Sequence, residues 1–412
     1  MSALEKNAAD PYRQPLPRTP ARRITDDAEA IRVARELAGL FAEEASLRDR
    51  QRRLPVAELE AFSQSGLWGI SVPRAYGGAE VGYRTLAEVL KTIAAVDPSL
   101  AQLPQNHLAV LDHLRLDGSE EQKRFFYGLV LDGVRFGNAF SERHSRTVAE
   151  FQTRVLADGD GFRIDGRKFY SSGALLAHWV PAVGLDAEQR AHLAFIPRDA
   201  PGLTVIDDWS GFGQRTTASG TVLLDEVPVA GDMLIHNGLL AEIPSLQGAV
   251  SQLIQAAIDA GIAQAALDDA QAFVRERSRP WIDAQVERAS DELYSIAEVG
   301  RLQIELHAAN ALLEKAGQVL DEVAARPVDA ESAARASIAV AEAKVLSTEI
   351  SLAASEKLFE LAGSRATLAE FNLDRHWRNA RTHTLHDPVR WKVYAVGDYY
   401  LNGARPARHS WI

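Results

Sequence analysis

Thr153-Arg154-Val155-Leu156-Ala157-Asp158-Gly159-Asp160-Gly161-Phe162-Arg163-Ile164-Asp165-Gly166 is the stretch on which the fold turns. Its apolar residues alternate with polar ones, and Asp158-Gly159-Asp160-Gly161 supplies turn chemistry between the two halves. The segment therefore predicts two short strands joined by a tight turn. Ala194-Phe195-Ile196-Pro197 and Thr221-Val222-Leu223-Leu224 repeat the alternation, with further turns predicted at Asp165-Gly166 and Pro201-Gly202. Together they predict a compact β domain over residues 135–237.

On either side the spacing changes from strand to helix. Upstream, Ile31, Ala34, Leu37, Ala38 and Phe41 recur at three and four residues, as do Leu86, Val89, Leu90 and Ile93. Asp26 and Ser119 are the predicted N-caps. Gly66-Leu67-Trp68-Gly69-Ile70-Ser71-Val72-Pro73-Arg74-Ala75-Tyr76-Gly77-Gly78 interrupts the helices with a turn that Pro73 and the glycine pair bracket. Downstream, helical periodicity resumes at Leu239 in long Ala-rich runs, from about Pro244 to Ser278, Ile282 to Ala325 and Asp329 to Leu361. Helices well above the average of about 11–12 residues predict a four-helix bundle. Residues 1–24 carry prolines and no apolar core, and read as a flexible arm. The predicted plan is a mostly α chain with a central β domain: helices over 25–134, the β domain, then a bundle over 238–412.

Composition narrows the chemistry. The 412 residues include no cysteine, which excludes disulfides, thiol nucleophiles and Cys-ligated metal or iron–sulfur centres, so redox chemistry has to come from a cofactor. A formal charge of −11 argues against a nucleic-acid partner, which needs a basic face. Between Arg375 and Arg408, however, seven residues are Arg or Lys and two are acidic, a basic corner suited to a phosphate-bearing group. No run approaches about 18 apolar residues, so no membrane span is expected and a cytoplasmic protein is.

The plan and its motifs resemble the acyl-CoA dehydrogenase superfamily of flavoproteins. Val72-Pro73-Arg74-Ala75-Tyr76-Gly77-Gly78 is similar to its N-terminal turn, and Asp97-Pro98-Ser99-Leu100 to the junction before a helix under the flavin. Gly213-Gln214-Arg215-Thr216-Thr217-Ala218-Ser219 with Val222-Leu223-Leu224-Asp225-Glu226-Val227-Pro228-Val229 resembles the end of its β domain. The resemblance implies an N-terminal helical domain, a middle β-barrel domain and a C-terminal four-helix bundle. It also implies flavin contacts from Asn138, Ala139, Phe140, Ser141 and Glu142, and from Lys168, Phe169, Tyr170, Ser171 and Ser172.

One departure redirects the expected chemistry. The family's dehydrogenases need a bundle carboxylate as base, yet no glutamate follows Glu370, and Asp387 is the only nearby carboxylate. His383-Thr384-Leu385-His386-Asp387-Pro388 instead resembles the dibenzothiophene monooxygenase and sulfur-acquisition oxidoreductase branch, which uses reduced FMN and dioxygen. Such chemistry needs a dry pocket and a placed proton donor, which histidine supplies near neutral pH. The resemblance therefore points to His386 as the principal catalytic residue. His383, one helical turn earlier, is predicted to share its face, and His107 is a third candidate. Asn106 joins the cofactor contacts, while Gln102 stands near where the branch carries a histidine. Arg279, Ser364 and Arg365 are the candidate clamp for the FMN phosphate. No third metal ligand accompanies the histidine pair, so no metal is expected.

The expected function is an FMNH2-dependent monooxygenase acting on a small organosulfur compound, with dioxygen and a separate NAD(P)H-flavin reductase, in a homotetramer. An FAD-dependent acyl-CoA dehydrogenase and a non-catalytic paralogue are the alternatives.

Overall fold

In the computed structural model, residues 10–147, 150–236 and 243–412 are described; residues 1–9 of the arm and Leu239, where helix was to resume, lie outside them. The N-terminal helices are α1 (Asp27–Ala42), α2 (Ala45–Gln51), α3 (Val56–Gln64), α4 (Tyr83–Ala94), α5 (Pro98–Asp117) and α6 (Glu120–Leu131). Asp26 caps α1 through the Glu29 amide at 2.8 Å, and Ser119 forms a capping box with Gln122 at the start of α6. The turn over residues 66–78 depends on Gly78, where an added Cβ would lie 2.0 Å from the Val72 carbonyl oxygen.

Seven strands form one sheet in the order β5-β6-β2-β1-β3-β4-β7. They are β1 (Arg154–Asp158), β2 (Gly161–Lys168), β3 (Trp179–Leu185), β4 (Ala191–Pro197), β5 (Leu203–Val205), β6 (Val222–Val229) and β7 (Leu234–His236). β1 and β2 pair antiparallel with Asp158 opposite Gly161, leaving the two-residue loop that their sequence predicts. Asp165-Gly166 is not a turn. It lies inside β2 at a break in register against β6, where Gly166 takes φ +156° and its missing Cβ clears Thr153.

The bundle contains α7 (Gln247–Glu276), α8 (Leu293–Ala324) and α9 (Ala330–Ala362), followed by the shorter α10 (Asp374–His383) and α11 (Arg390–Asn402). The second long helix starts at Leu293 rather than Ile282. Trp281 and Ile282 are exposed, so nothing rewards continuing the helix through them, and Gln285 is left-handed at φ 53°. No fourth long helix follows α9 among the described residues; α10 and α11 pack on it, while α4 from the N-terminal domain packs on α7 and α8. The arm is ordered from Asp10 onward. Arg198 reaches Asp10 at 2.5 Å, the ring of His178 bonds the Pro15 carbonyl at 3.1 Å, and Ala21 and Ile24 are buried.

Two glycines let the β domain close on the helices. A Cβ on Gly173 would rest 3.4 Å from Leu103 of α5. At Gly213 it would sit 1.8 Å from the Arg378 carbonyl oxygen of α10, so only glycine permits that approach. Gly213→Ala is expected to push the loop off α10 and cost about 1–3 kcal/mol. A lowered urea midpoint together with weakened flavin binding checks this; a wild-type midpoint contradicts it.

Candidate active site

The contact between the β domain and α5, α7 and α10 is a seam lined by small polar groups. On the β side, Asn138 donates to the Ser172 carbonyl at 3.0 Å. The Ser172 hydroxyl meets that of Ser219 at 2.6 Å, and Ser219 meets Thr217 at 2.7 Å. The Gln214 amide N–H donates to Asn379 of α10 at 2.7 Å. At the mouth, Tyr170 is about half exposed, and its ring and those of Phe169 and Trp209 pack together.

On the bundle side, His383 at the end of α10 is buried between two helices. Its Nδ1 lies 2.5 Å from Asp259 of α7 and its Nε2 lies 3.0 Å from the side-chain amide of Gln102 on α5. Asp259 also accepts from Lys344 of α9 at 2.6 Å and from Thr348 at 3.0 Å, all within the interior. Burial pushes the Asp259 carboxyl up, but the charge of Lys344 and the bonds from His383 and Lys344 prevail and hold it below the usual range. Burial lowers the pKa of His383, while the facing Asp259 raises it in part.

His386 does not share the face of His383. The helix ends at His383, so His386 falls in the following turn with its side chain 33% exposed. Its Nδ1 is 3.6 Å from the buried Asp387, which is paired with the buried Lys392 at 3.0 Å. Burial opposes ionisation of Asp387, yet His386 and the charges of Lys344 and Lys392 keep its pKa well below normal.

Several predicted site residues serve the scaffold instead. His107 is fully buried, its Nε2 bonds the Trp68 carbonyl at 2.9 Å, and its Nδ1 accepts the Phe136 N–H at 3.0 Å. With both nitrogens committed to backbone, it offers none to a reactant. Glu142 and Lys168 are paired at 2.8 Å; the carboxylate also takes Gln152 and Thr153, and the ammonium the Phe140 carbonyl at 3.0 Å. Burial lowers Lys168 to about 8. Ala139 and Ser141 take part through backbone bonds to Pro181 and Phe169, and Asn106 is half-buried on α5. Arg279, Ser364 and Arg365 are exposed near one another past the ends of α7 and α9, where Arg365 reaches the Arg277 carbonyl. The end of α7 is about 25 Å along its axis from Asp259, too far to share one ribityl phosphate with this chain's own seam.

Ser171 Oγ, both ends of the Gln214 amide and Thr382 Oγ1 are buried without partners. Such atoms need an explanation. The edge of an isoalloxazine, with its carbonyls and ring nitrogens, supplies complementary groups, and the Tyr170–Trp209 cluster supplies a flat neighbour. The residues present fit a flavin. The roles of Asp259 and Lys344 escape motif reading, although one signal marks Asp259: it is the only ionisable residue between Glu242 and Asp268.

Residues 25–133 match the family model described as acyl-CoA dehydrogenase, N-terminal domain, and residues 253–391 its C-terminal domain. Dibenzothiophene monooxygenase of Rhodococcus erythropolis is 35% identical over 396 residues, covering 92% of this chain and 95% of that protein. The probable FMNH2-dependent monooxygenase SfnC of Pseudomonas putida is 32% identical over 386 residues, covering 92% and 96%. The FMN-bound structure of TdsC from Paenibacillus sp. A11-2 matches with a TM-score of 0.88 at 32% identity, covering 93% of this chain and all of that one.

Burial holds His107 and His178 at about 3 and His376 at about 4, and lowers His383 as well. The unfolded chain binds protons below about pH 6.5 that these native sites refuse, so stability falls as pH drops from there toward about 4, by up to about 1.4 kcal/mol per unit per histidine. Urea midpoints across that range check the slope. His107→Gln, whose amide can meet both backbone partners, is expected to flatten it and to keep turnover within about twofold of wild type. A folded variant with little turnover would return His107 to the chemistry.

Proposed function

Because the chain belongs to the acyl-CoA dehydrogenase family, with FMNH2-dependent monooxygenases among its relatives, we propose that it is itself an FMNH2-dependent monooxygenase of small organosulfur compounds. The observation that carries this reading is the state of the two carboxylates beside the histidines. Asp259 is tied to Lys344 and Asp387 to Lys392, and both have lowered pKa values. A buried, lysine-paired carboxylate is a poor base for removing a proton α to a thioester. That disfavours dehydrogenase chemistry, while His386 stays accessible to move a proton.

Ser171, Ser172, Asn138, Gln214 and the Tyr170–Trp209 cluster would hold the flavin ring. Bound FMNH2 would supply the electrons that activate dioxygen. His386 donates a proton at the seam, steadied by Asp387. The buried helical walls keep water out, which strengthens every hydrogen bond made there.

Arg279, Ser364 and Arg365 clamp the phosphate from a second copy, since they lie too far from the seam of their own chain. Exposed Leu293, Tyr294, Ile304, Tyr394 and Leu401 on α8 and α11 give copies an apolar surface to bury, in keeping with a homotetramer. Among the described residues no helix is long and apolar enough to cross a membrane. We place the enzyme in the cytoplasm beside a separate NAD(P)H-flavin reductase.

With reductase-supplied FMNH2, dioxygen and dibenzothiophene as first probe, product formation is expected, and His386→Ala should slow it about 10²-fold while hydrogen peroxide release rises. Unchanged turnover would remove His386 from the chemistry. Anaerobic flavin reduction by an acyl-CoA would establish a dehydrogenase instead. Arg279→Ala with Arg365→Ala is expected to weaken FMN binding at least about tenfold by fluorescence titration; unaltered affinity would dismiss the clamp.

A further inference from the structure

The interior beside the seam holds four charges: Asp259, Lys344, Asp387 and Lys392, on α7, on α9, in the turn after α10 and on α11. All are buried, and they sum to zero. His383 adjoins this set, with Asp259 facing it from α7, Lys344 from α9, His386 from the adjoining turn and the uncharged Gln102 from α5. A protonated His383 would leave the buried set with a net positive charge.

That balance decides a hydrogen-bonding conflict. Nδ1 faces a carboxylate and therefore carries a proton. Gln102 turns Oε1 toward Nε2, a contact that bonds only if Nε2 is protonated too. Either the ring is an imidazolium, or the Gln102 amide is rotated by half a turn so that its NH2 group faces an unprotonated Nε2. The two ends of an amide have the same shape, so rotation costs no space.

We propose that Asp259, neutralised by Lys344, is a positioning residue that fixes His383 as the neutral Nδ1–H tautomer and, through its Nε2 lone pair, orients Gln102 with its NH2 group inward. The free end of Gln102 is then a carbonyl, an acceptor for an N–H or O–H group of cofactor or substrate. This places a buried carboxylate–imidazole–amide relay across α7, α10 and α5. His383 lies one helical turn after Asn379, which accepts from the Gln214 N–H of the β domain, so the relay lies beside the seam. Its catalytic consequence rests on the monooxygenase reading above; the tautomer does not.

The experiment is 15N NMR of the histidine-labelled apoprotein, with His383 assigned by the signals lost in His383→Gln. A pyrrole-type Nδ1 and a pyridine-type Nε2 are expected at neutral pH, with any titration displaced below the ordinary imidazole value of about 6.5. Imidazolium signals at neutral pH, or a protonated Nε2, would overturn the proposal. Asp259→Asn can donate to Nδ1, and should move the proton to Nε2. In the FMNH2 assay it should lower kcat about 10²–10⁴-fold, with KM for dibenzothiophene within about threefold. Should that variant fail to fold, Asp259→Asn with Lys344→Met removes both charges together and carries the same expectation. A wild-type tautomer and wild-type kcat in the folded variant also defeat the proposal. If the wild-type ring shows the expected tautomer but no organosulfur compound is oxygenated, the monooxygenase reading falls while the tautomer stands.

Discussion

A carboxylate in the middle of a helical bundle is the constraint around which this molecule is arranged. Asp259 lies on α7 without solvent contact, and an unpaired charge there would be intolerable. Lys344 answers it from α9, so two of the long bundle helices are held in one register. Breaking such a pair on one side costs about 3–5 kcal/mol. Asp259 also holds His383, the last residue of α10, inward, and His386 falls in the turn that follows, partly exposed.

The same pairing limits the chemistry. The family fold can host a base on its bundle, but here both carboxylates beside His383 and His386 are committed to lysines. What remains available is imidazole and amide, groups suited to donating and directing protons. The β domain supplies the other wall through its hydroxyl chain and unpartnered Ser171 and Gln214 side chains, brought against α10 by the bare backbone of Gly213. One glycine and one ion pair thus bring the two halves of the site together.

Much of the scaffold is local and could be read directly. The β1–β2 hairpin follows from Gly159 and Asp160 between alternating strands, and the helix starts from Asp26, Ser119 and Asp329, each of which caps the helix after it. Asp165-Gly166 misled because the same pair serves a turn or a bulge, and only the partner strand β6 distinguishes them. Arm residues beyond Asp10 misled for a related reason: their order comes from Arg198 and His178, far away in the chain.

By itself the sequence determined the α–β–α plan, the need for a cofactor and the histidine segment, because turn residues, caps and apolar periodicity act over a few neighbours. Only the tertiary structure decided which of the three candidate histidines stays accessible. His107 is satisfied by Trp68 and Phe136, His383 by Asp259, and His386 is left exposed, through contacts spanning up to 124 positions. A side chain's protonation and reach depend on burial and on the charges that face it, and those come from residues that only folding brings together.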